Sequence, residues 1–277
     1  MAKGTRLSGA TVLITGGGSG LGRRMALGAA RRGGRVVIWD MDAARGAAVR
    51  DEIRAAGGQA EAQAVDVTDR QAVKAAAAEA GPVDVLVNNA GIVSGRRLLE
   101  STDEAIERTM NVNVMALYWV TRAFLEGMAH RGRGTVVTVA SAAGLVGVAR
   151  QTDYSASKFG AFGFNESLRA ELRADQQGVN TLVVCPFYID TGMFDGVQTR
   201  WPRLLPILKE EDVAGKVLDA VEAGRRKLFL PPIVNLLPVL RILPVTIFDR
   251  LMDVLGVNRT MDHFTGRPVP RAGEHIG

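Results

Sequence analysis

The chain contains few residues that could cross-link it or bind a metal ion. Its 277 residues include a single cysteine, Cys185, so an internal disulfide is excluded and a reducing compartment is expected. Valines and a proline flank Cys185, which indicates a packing residue at a strand end. The three histidines, His130, His263 and His275, show no metal-ligand spacing, so we expect them at the surface and predict no metal site.

Long apolar runs are also absent. Residues 1–9 contain no apolar core of a secretory signal. No stretch reaches the ~20 consecutive apolar residues that cross a bilayer. We therefore expect a cytoplasmic protein, with contact at a membrane surface as the alternative.

The sequence lacks a concentrated basic patch interleaved with aromatic residues. The net charge of +5 is spread along the chain, and aromatic residues make up only 5% of it. No nucleic-acid partner is therefore expected, although the charge is compatible with an anionic membrane surface. The length fits one large α/β domain or two small ones.

A glycine-rich turn follows the first apolar run. Thr11–Thr15 has the composition of a strand, residues 16–22 contain five glycines, and a helical pattern extends over Leu21–Arg32. The strand Arg35–Trp39 then leads to Asp40. This order is typical of dinucleotide-binding units, in which a pyrophosphate lies at the helix N-terminus. The residues of the turn expected to bind the cofactor are Gly16, Gly18, Ser19, Gly20, Leu21 and Gly22.

Asp40 bears on the choice of cofactor. A carboxylate at the tip of the second strand can accept hydrogen bonds from both hydroxyls of an adenosine ribose and would repel a 2′-phosphate. No lysine or arginine lies within the glycine turn. NAD is therefore predicted in preference to NADP. Arg45 keeps the alternative open, because its side chain could turn toward a 2′-phosphate.

Strands and helices continue to alternate after Asp40. Helices are predicted over Ala43–Ala56 and Asp69–Ala80, and strands over Gln59–Val65 and Val83–Val87. The alternation predicts an α/β fold with a single Rossmann-type doubly wound parallel sheet of about seven strands and helices on both faces. Ligands of such sheets bind at the carboxyl ends of the strands. The residues that follow these strands and join the expected cofactor site are Asp66, Val67, Asn89, Ala90 and Gly91.

The second half of the chain continues this pattern. Helices are predicted over Thr102–Arg108 and Asn113–Ala129, and strands over Thr135–Val139 and Val179–Cys185. A long helix between these two strands extends to about Gln176.

Tyr154 and Lys158 lie four residues apart on this long helix. Their side chains are therefore expected to project from one helix face. A phenol titrates near ~10, and a neighbouring cation favours its deprotonated form. Such a pair can exchange protons with a substrate near neutral pH.

Together these motifs resemble those of the short-chain dehydrogenase/reductase family over residues 8–230. The likeness comprises Thr15-Gly16-x-x-x-Gly20-x-Gly22, Asp66, Asn88-Asn89-Ala90-Gly91, Asn113, Ser141, Tyr154-x-x-x-Lys158 and Pro186-x-x-Ile189-x-Thr191. Their occurrence in this order, at the spacing of the family, is a stronger signal than any one motif.

The resemblance implies a catalytic site of four side chains. Tyr154 would exchange a proton with the substrate oxygen, which Ser141 would hold, while hydride moves to or from the nicotinamide. Lys158 would lower the pKa of Tyr154 and bind the nicotinamide ribose. Asn113 would hold a helix distortion; it is chosen over Asn111 because the pair Val-Asn matches the family.

Three further expectations come from the same resemblance. Ile189, through its backbone, and Thr191, through its hydroxyl, would contact the carboxamide and the pyrophosphate. Phe187 departs from the family, which often has glycine there, and would place a ring near the nicotinamide. A homodimer or homotetramer is implied, with the helices around Asn113 and Tyr154 at the interface.

Several strings resemble the branch that contains retinol dehydrogenases and 17β-hydroxysteroid dehydrogenases. They are Trp39-Asp40, Tyr118–Phe124, Val139–Leu145 and Cys185–Met193. The implied substrate is a lipophilic alcohol or carbonyl compound, such as a retinoid, a steroid or a long-chain alcohol. The alternatives are a catalytically idle dinucleotide-binding scaffold at a lipid surface and an NADP-dependent carbonyl reductase of the same fold.

Apolar residues dominate the last quarter of the chain. A substrate-covering segment is expected where they crowd together after the sixth strand, at Phe187, Tyr188, Met193, Phe194, Trp201, Leu204, Leu205, Ile207 and Leu208. We divide the chain into a Rossmann domain, 1–230, and an apolar, proline-rich extension, 231–277. This extension either contacts a membrane surface or packs over its own or a partner's substrate cleft.

Overall fold

Seven parallel strands form a single sheet in the computed structural model, which describes residues 4–266. Their order across the sheet is β3-β2-β1-β4-β5-β6-β7. The strands are β1 (Thr11–Thr15), β2 (Arg35–Asp40), β3 (Gln59–Ala64), β4 (Val85–Asn88), β5 (Gly134–Val139), β6 (Val179–Pro186) and β7 (Lys227–Leu230). The predicted doubly wound α/β fold is confirmed.

Helices connect these strands. They are α1 (Gly20–Arg31), α2 (Ala43–Ala55), α3 (Arg70–Ala80), α4 (Asp103–Met110), α5 (Ala116–His130), α6 (Thr152–Ala174), α7 (Glu210–Glu222), α8 (Leu237–Leu240) and α9 (Val245–Leu255). The sequence predicted a gap between the helices that correspond to α4 and α5. The structure instead joins them through a π-helical turn, Asn111–Met115, so the helical backbone continues from one to the other.

The period-two alternation of the strands distributes their side chains between two cores. Val12 and Ile14 pack with Met25 of α1 on one face, and Leu13 packs with Phe124 of α5 on the other. Fully burying such an aliphatic side chain contributes about 1.5–3 kcal/mol. The apolar strands therefore hold the sheet between two layers of helices.

The sheet order places the carboxyl ends of β1, β2 and β4 side by side. β1 pairs with β2 on one side and with β4 on the other. The glycine turn after β1 therefore lies between Asp40 and Asn89, although these residues are far apart in the sequence. This is the point of the sheet where the order of the strands reverses and where ligands of such sheets bind.

Residues 232–261, which we call the C-terminal cover, pack against the Rossmann core. Met252 and Val257 of the cover join a buried cluster with Val146 and Leu205. The described part of the extension thus packs over its own chain. The cover also leaves Ile242 83% and Val245 73% exposed, so it has an outward apolar face.

The predicted substrate-covering segment divides into two groups of side chains. Leu205 is buried beneath the cover, whereas Trp201, Leu204 and Ile207 are exposed. The sequence could not separate these groups, because an irregular loop has no period from which an inward face can be read. Within the described residues, no helix combines the length and the apolar character needed to cross a membrane.

The single cysteine and the histidines lie as follows. Cys185 is a free, fully buried residue of β6. His130 and His263 are exposed, as expected. His275 lies outside the described residues.

Candidate active site

The glycine turn is held by the residues that flank β1 and β4. The backbone N–H groups of Asn89 and Ala90 both donate to Thr15 Oγ1 at 3.0 Å. Asn89 Nδ2 donates to the carbonyls of Thr15 and Gly16, at 2.9 and 3.2 Å. The predicted site did not include the Thr15 hydroxyl, whose role depends on a strand 70 residues away and has no local signal.

Two glycines of this turn have backbone angles that other residues rarely adopt. Gly16 has φ +63° and Gly20 has φ +49°. The turn delivers the chain into α1, whose first backbone N–H groups have no partner within the helix. No acidic residue lies in the first turn of α1. The turn and helix therefore present free donors and a partial positive charge to an anion.

Asp40 is fixed by two backbone donors. Its Oδ2 accepts from Gly18 N at 2.9 Å, and its Oδ1 accepts from Asp42 N at 3.0 Å. Arg45, the residue that left NADP open, has its Nε 3.0 Å from Asp42 Oδ2. Arg45 is therefore already paired with a carboxylate beside the site, while Asp40 has no arginine partner within residues 4–266.

Asp66 and Val67 follow β3 and border the cavity that the glycine turn and Asp40 also line. Asp66 Oδ1 accepts from the backbone N–H and the hydroxyl of Thr68, at 2.9 and 2.7 Å. Val65 and Val67 are buried and provide an apolar wall. A flat, partly polar ring could bind against this edge of the cavity.

Asn113 lies in the π-helical turn and connects two elements. Its Oδ1 accepts from Ile92 N at 2.9 Å, and its Nδ2 donates to the carbonyl of Ile92 and to Ser157 Oγ, both at 2.9 Å. Asn111 is exposed, whereas Asn113 is buried. Ser157, which donates to the carbonyl of Tyr154 at 2.7 Å, was not predicted.

Tyr154, Ser141 and Lys158 meet above the end of β5. Ser141 Oγ accepts from Ala143 N at 3.1 Å and donates to the carbonyl of Pro186 at 3.5 Å, and the side chain of Ser141 also interacts with the phenol of Tyr154. Lys158 Nζ lies 5.6 Å from the ring centroid of Tyr154 and donates to the carbonyl of Val139 at 3.0 Å. A hydroxyl pair beside a buried ammonium can bind one oxygen atom and exchange a proton with it.

Burial dominates the titration of this cluster. It raises the pKa of Tyr154, while the hydrogen bond with Ser141 lowers it by a smaller amount. This direction is opposite to the expected lowering by Lys158. Desolvation of the phenol outweighs a cation at this distance. Burial lowers the pKa of Lys158 to about 8.

These residues border one cavity of about 840 Å³. Among the described residues, the predicted site residues that line it are Gly16, Ser19, Gly20, Leu21, Gly22, Asp40, Asp66, Val67, Asn89, Ala90, Gly91, Ser141, Tyr154, Lys158, Ile189 and Thr191. Gly18 and Asn113 do not line it. Gly18 lies outside the cavity lining, and its backbone N–H donates a hydrogen bond to Asp40. Asn113 also lies outside the lining and holds the loop at Ile92.

The far half of the cavity is apolar. Its lining residues include Val146, Phe187, Met193, Phe194, Leu205, Leu237, Leu240, Leu251, Met252 and Leu255. The ring of Phe194 packs edge-on against Tyr154, with centroids 5.8 Å apart. Phe187 lines the wall, as its position in the sequence suggested. Gln151 and Tyr188 add polar atoms; Gln151 had no motif that would have identified it.

Residues 10–200 match the sequence model of the short chain dehydrogenase family. These residues contain the glycine turn, Asn113, Ser141, Tyr154 and Lys158, and they make up most of the chain. The chain belongs to the short chain dehydrogenase family. It is accordingly an oxidoreductase of alcohols or carbonyl compounds.

Similarity to individual proteins extends beyond the residues that match the family. Epidermal retinol dehydrogenase 2 of Mus musculus is 41% identical over 268 residues, which cover 94% of this chain and 87% of that protein. Retinol dehydrogenase 10-B of Danio rerio is 36% identical over 286 residues, covering 93% of this chain and 85% of that protein. Both alignments therefore include most of the C-terminal cover.

Solved structures of this short chain dehydrogenase family contain either dinucleotide. A short chain dehydrogenase/reductase from Burkholderia phymatum in complex with NAD has a TM-score of 0.78 at 28% identity, covering 86% of this chain and 95% of that one. A metagenomic short-chain oxidoreductase in complex with NADP has a TM-score of 0.69 at 31% identity, covering 81% and 97%. The overall fold therefore accommodates both dinucleotides.

The unusual titration of Lys158 leads to a prediction about stability. Its pKa is about 8 in the folded protein and near 10.5 ordinarily, so the unfolded chain binds more protons between these pH values. The cost of burying the ammonium is therefore complete below pH 8 and disappears as the pH rises toward 10.5. The pKa difference corresponds to about 3 kcal/mol. We expect Lys158→Met to be more stable than the wild type at pH 7 by up to about this amount.

Denaturant unfolding at pH 7 and pH 10 measures this effect. The stability gain of Lys158→Met should shrink at the higher pH. Lys74 is exposed on α3, so Lys74→Met serves as the control and should show no such trend. A gain that stays constant or grows between the two pH values would contradict the assignment.

Proposed function

We propose that the protein transfers hydride between NAD and a lipophilic alcohol or its carbonyl product. The observation that carries this proposal is the position of the Tyr154 and Ser141 hydroxyls. They lie where the half of the cavity bordered by the glycine turn and Asp40 meets the half lined by apolar side chains. A substrate oxygen bound there has the cofactor site on one side and an apolar compartment on the other.

The residues present fit a dinucleotide. The donors at the N-terminus of α1 suit its pyrophosphate, Asp40 suits the adenosine ribose, and Ile189 and Thr191 border the nicotinamide end. When bound, the nicotinamide would supply the hydride chemistry. The rest of the site has to orient the substrate and transfer one proton.

Tyr154 performs the proton transfer in this mechanism. In oxidation the phenolate form of Tyr154 accepts the proton of the substrate hydroxyl and becomes the phenol, and in reduction the phenol donates its proton to the forming alkoxide and becomes the phenolate. Ser141 donates a hydrogen bond to the substrate oxygen and so stabilises the charge that develops there. Both side chains line the cavity, so one substrate oxygen bound there can contact both hydroxyls.

Lys158 and Asn113 support this chemistry from behind the phenol. Lys158 supplies a positive charge that favours the phenolate and a donor that suits ribose hydroxyls. Asn113, through Ile92 and Ser157, holds α5, the loop after β4 and α6 in one arrangement. Ser157 in turn bonds to the carbonyl of Tyr154. The position of the phenol thus depends on the π-helical turn.

The substrate class follows from the apolar half of the cavity. Most of its walls are aliphatic and aromatic side chains from the loop after β6 and the C-terminal cover, and Lys158, Gln151 and Tyr188 contribute polar atoms. A compartment of this kind gains free energy by burying a hydrocarbon. The relatives named retinol dehydrogenases make a retinoid the first candidate, ahead of a steroid or a long-chain alcohol.

A substrate screen with the purified protein tests the proposal. NADH formation, followed by absorbance, should be detected with retinol, a hydroxysteroid or decanol, and the reverse reaction with the matching carbonyl compound. Binding of NAD without turnover of any of these substrates would favour the catalytically idle scaffold instead. The buried phenol and ammonium argue against a scaffold, because dinucleotide binding alone does not need them.

We also propose that the outward face of the C-terminal cover contacts a membrane surface. Its apolar side chains include Val239, Ile242, Val245, Ile247 and Val254, all more than half exposed. The opposite side of α9 contributes Met252 to the cavity wall. A lipid surface at this face would bring a membrane-dissolved substrate next to the cavity.

We also propose that the protein self-associates through one face of α5 and α6. Tyr118 and Phe159 lie on this face, and both are partly exposed.

Flotation with anionic vesicles tests the membrane contact. The double variant Ile242→Glu, Val245→Glu should lower the vesicle-bound fraction at least severalfold, because it places two charges on an apolar face. Leu99→Glu is the matched control, since Leu99 is 98% exposed and lies outside the cover. Equal flotation of both variants, or no flotation of the wild type, would reject the contact.

A further inference from the structure

A chain of buried hydrogen bonds crosses the apolar end of the cavity. The hydroxyl of Thr260 donates to the carbonyl of Val257 at 2.8 Å, so its oxygen accepts from the hydroxyl of Tyr188, also at 2.8 Å. Gln151 Nε2 donates to the oxygen of Tyr188 at 3.4 Å. The donors therefore all point one way, from Gln151 to Val257, and each bond polarises the next.

The side chains of Gln151, Tyr188 and Thr260, which we call the clasp, belong to three separate parts of the chain. Gln151 directly precedes α6, whose third residue is Tyr154. Tyr188 follows β6, and Thr260 lies beyond α9 in the C-terminal cover. Gln198 N donates to the carbonyl of Thr260 at 3.2 Å and adds a backbone connection. The clasp thus links the cover to the start of the helix that carries the phenol.

The surroundings of the clasp make its hydrogen bonds costly to lose. Tyr188 packs among apolar residues that include Met261, Phe187 and Phe194. Gln151 and Thr260 are 1% and 2% exposed. A polar group buried in this way destabilises the protein unless it is hydrogen-bonded. Burial raises the pKa of Tyr188 to about 12, so its hydroxyl remains a donor throughout the usual assay range.

We infer that the clasp positions the C-terminal cover for large substrates and so sets the size preference of the enzyme, an inference that rests on the proposed function. Met252, Leu255 and Val257 of the cover line the cavity, whereas Thr260 stands behind this wall. A displaced cover moves the wall that a long hydrocarbon contacts. A four-carbon alcohol at Tyr154 fills only a small part of the cavity of about 840 Å³. Thr260 is therefore a positioning residue.

Thr260→Val tests this inference, because it removes the hydroxyl and retains the shape of the side chain. We expect the ratio of kcat/KM for retinol to that for butanol to fall about three- to tenfold, chiefly through a higher KM for retinol. The values for butanol should stay within about twofold of the wild type. Amide hydrogen exchange over residues 245–261 should become faster. Thr260→Ser keeps the donor and should restore both properties.

A matched control is available on β6. Thr181 is buried, and its hydroxyl has no hydrogen-bond partner among the described residues, so Thr181→Val removes a hydroxyl without breaking a bond. This variant should keep the substrate ratio and the exchange rates of the wild type. An unchanged ratio, an equal loss with both alcohols, or unchanged exchange in Thr260→Val would overturn the inference. If the wild type turned over no alcohol, the proposed function would be wrong. The amide hydrogen-exchange rates of Thr260→Val alone would then decide whether the clasp positions the cover.

Discussion

Replacing Tyr154 by phenylalanine should lower kcat by about three orders of magnitude, within the range of 10²–10⁴ for a lost general acid–base group. The substitution removes the oxygen that exchanges a proton with the substrate. It leaves the ring, which packs edge-on against Phe194. The backbone of α6 is also unaffected, because Ser157 bonds to the carbonyl of residue 154 and not to its side chain.

Steady-state kinetics together with coenzyme titration measure this effect. The dissociation constant for NADH should stay within about twofold of the wild-type value, because the donors at the glycine turn and the carboxylate of Asp40 are untouched. Tyr118→Phe provides the control, since Tyr118 is an exposed residue of α5 and should retain full turnover. Undiminished activity of Tyr154→Phe would remove the basis of the mechanism.

The second large effect is expected at Asp40. In Asp40→Asn the ratio of kcat/KM for NAD to that for NADP should fall about a hundredfold. Two effects add in this ratio. NAD loses hydrogen bonds to a charged acceptor, and NADP no longer meets a negative charge near its 2′-phosphate. Asparagine has a single side-chain oxygen, so it can accept from only one of the two backbone donors, Gly18 or Asp42; the resulting change in the turn affects both cofactors and largely cancels in the ratio.

The control separates Asp40 from its neighbour. Asp42→Asn removes the carboxylate that pairs with Arg45 and keeps the carboxylate of Asp40. This variant should still prefer NAD. Equal kcat/KM for NAD and NADP in the wild type, or a larger change in Asp42→Asn than in Asp40→Asn, would make Arg45 the residue that governs the choice.

The fold was predictable because its strongest signals are local. The strands β1 and β2 each contain a run of consecutive buried apolar residues, and a glycine turn followed by a helical period can be read within a dozen residues. The predicted doubly wound sheet was confirmed on this basis. The predicted gap between α4 and α5 was wrong. A π-helical turn continues the helical backbone there, while the amphipathic pattern of the sequence shifts across the turn.

The candidate site was predictable for the same reason, but only in part. The motif residues follow individual strands, and nearly all of them line one cavity. Ser157, Gln151 and Thr260 carry no such signal, since each acts through a partner distant in the sequence or through the backbone. The direction of the pKa shift of Tyr154 was also wrong. The spacing of Tyr154 and Lys158 reveals their proximity and says nothing about how completely water is excluded from them.

The sequence by itself determined the order of strands and helices, the glycine turn, the acidic residue at the end of β2 and the four-residue spacing of Tyr154 and Lys158. These features depend on backbone geometry and side-chain periodicity over short distances. The tertiary structure alone decided that the described C-terminal residues close the apolar half of the cavity. It also decided that Thr260 bonds to Tyr188. Such contacts depend on which surfaces meet when the chain is compact, and apolar composition alone cannot distinguish a face that packs inward from one that stays exposed.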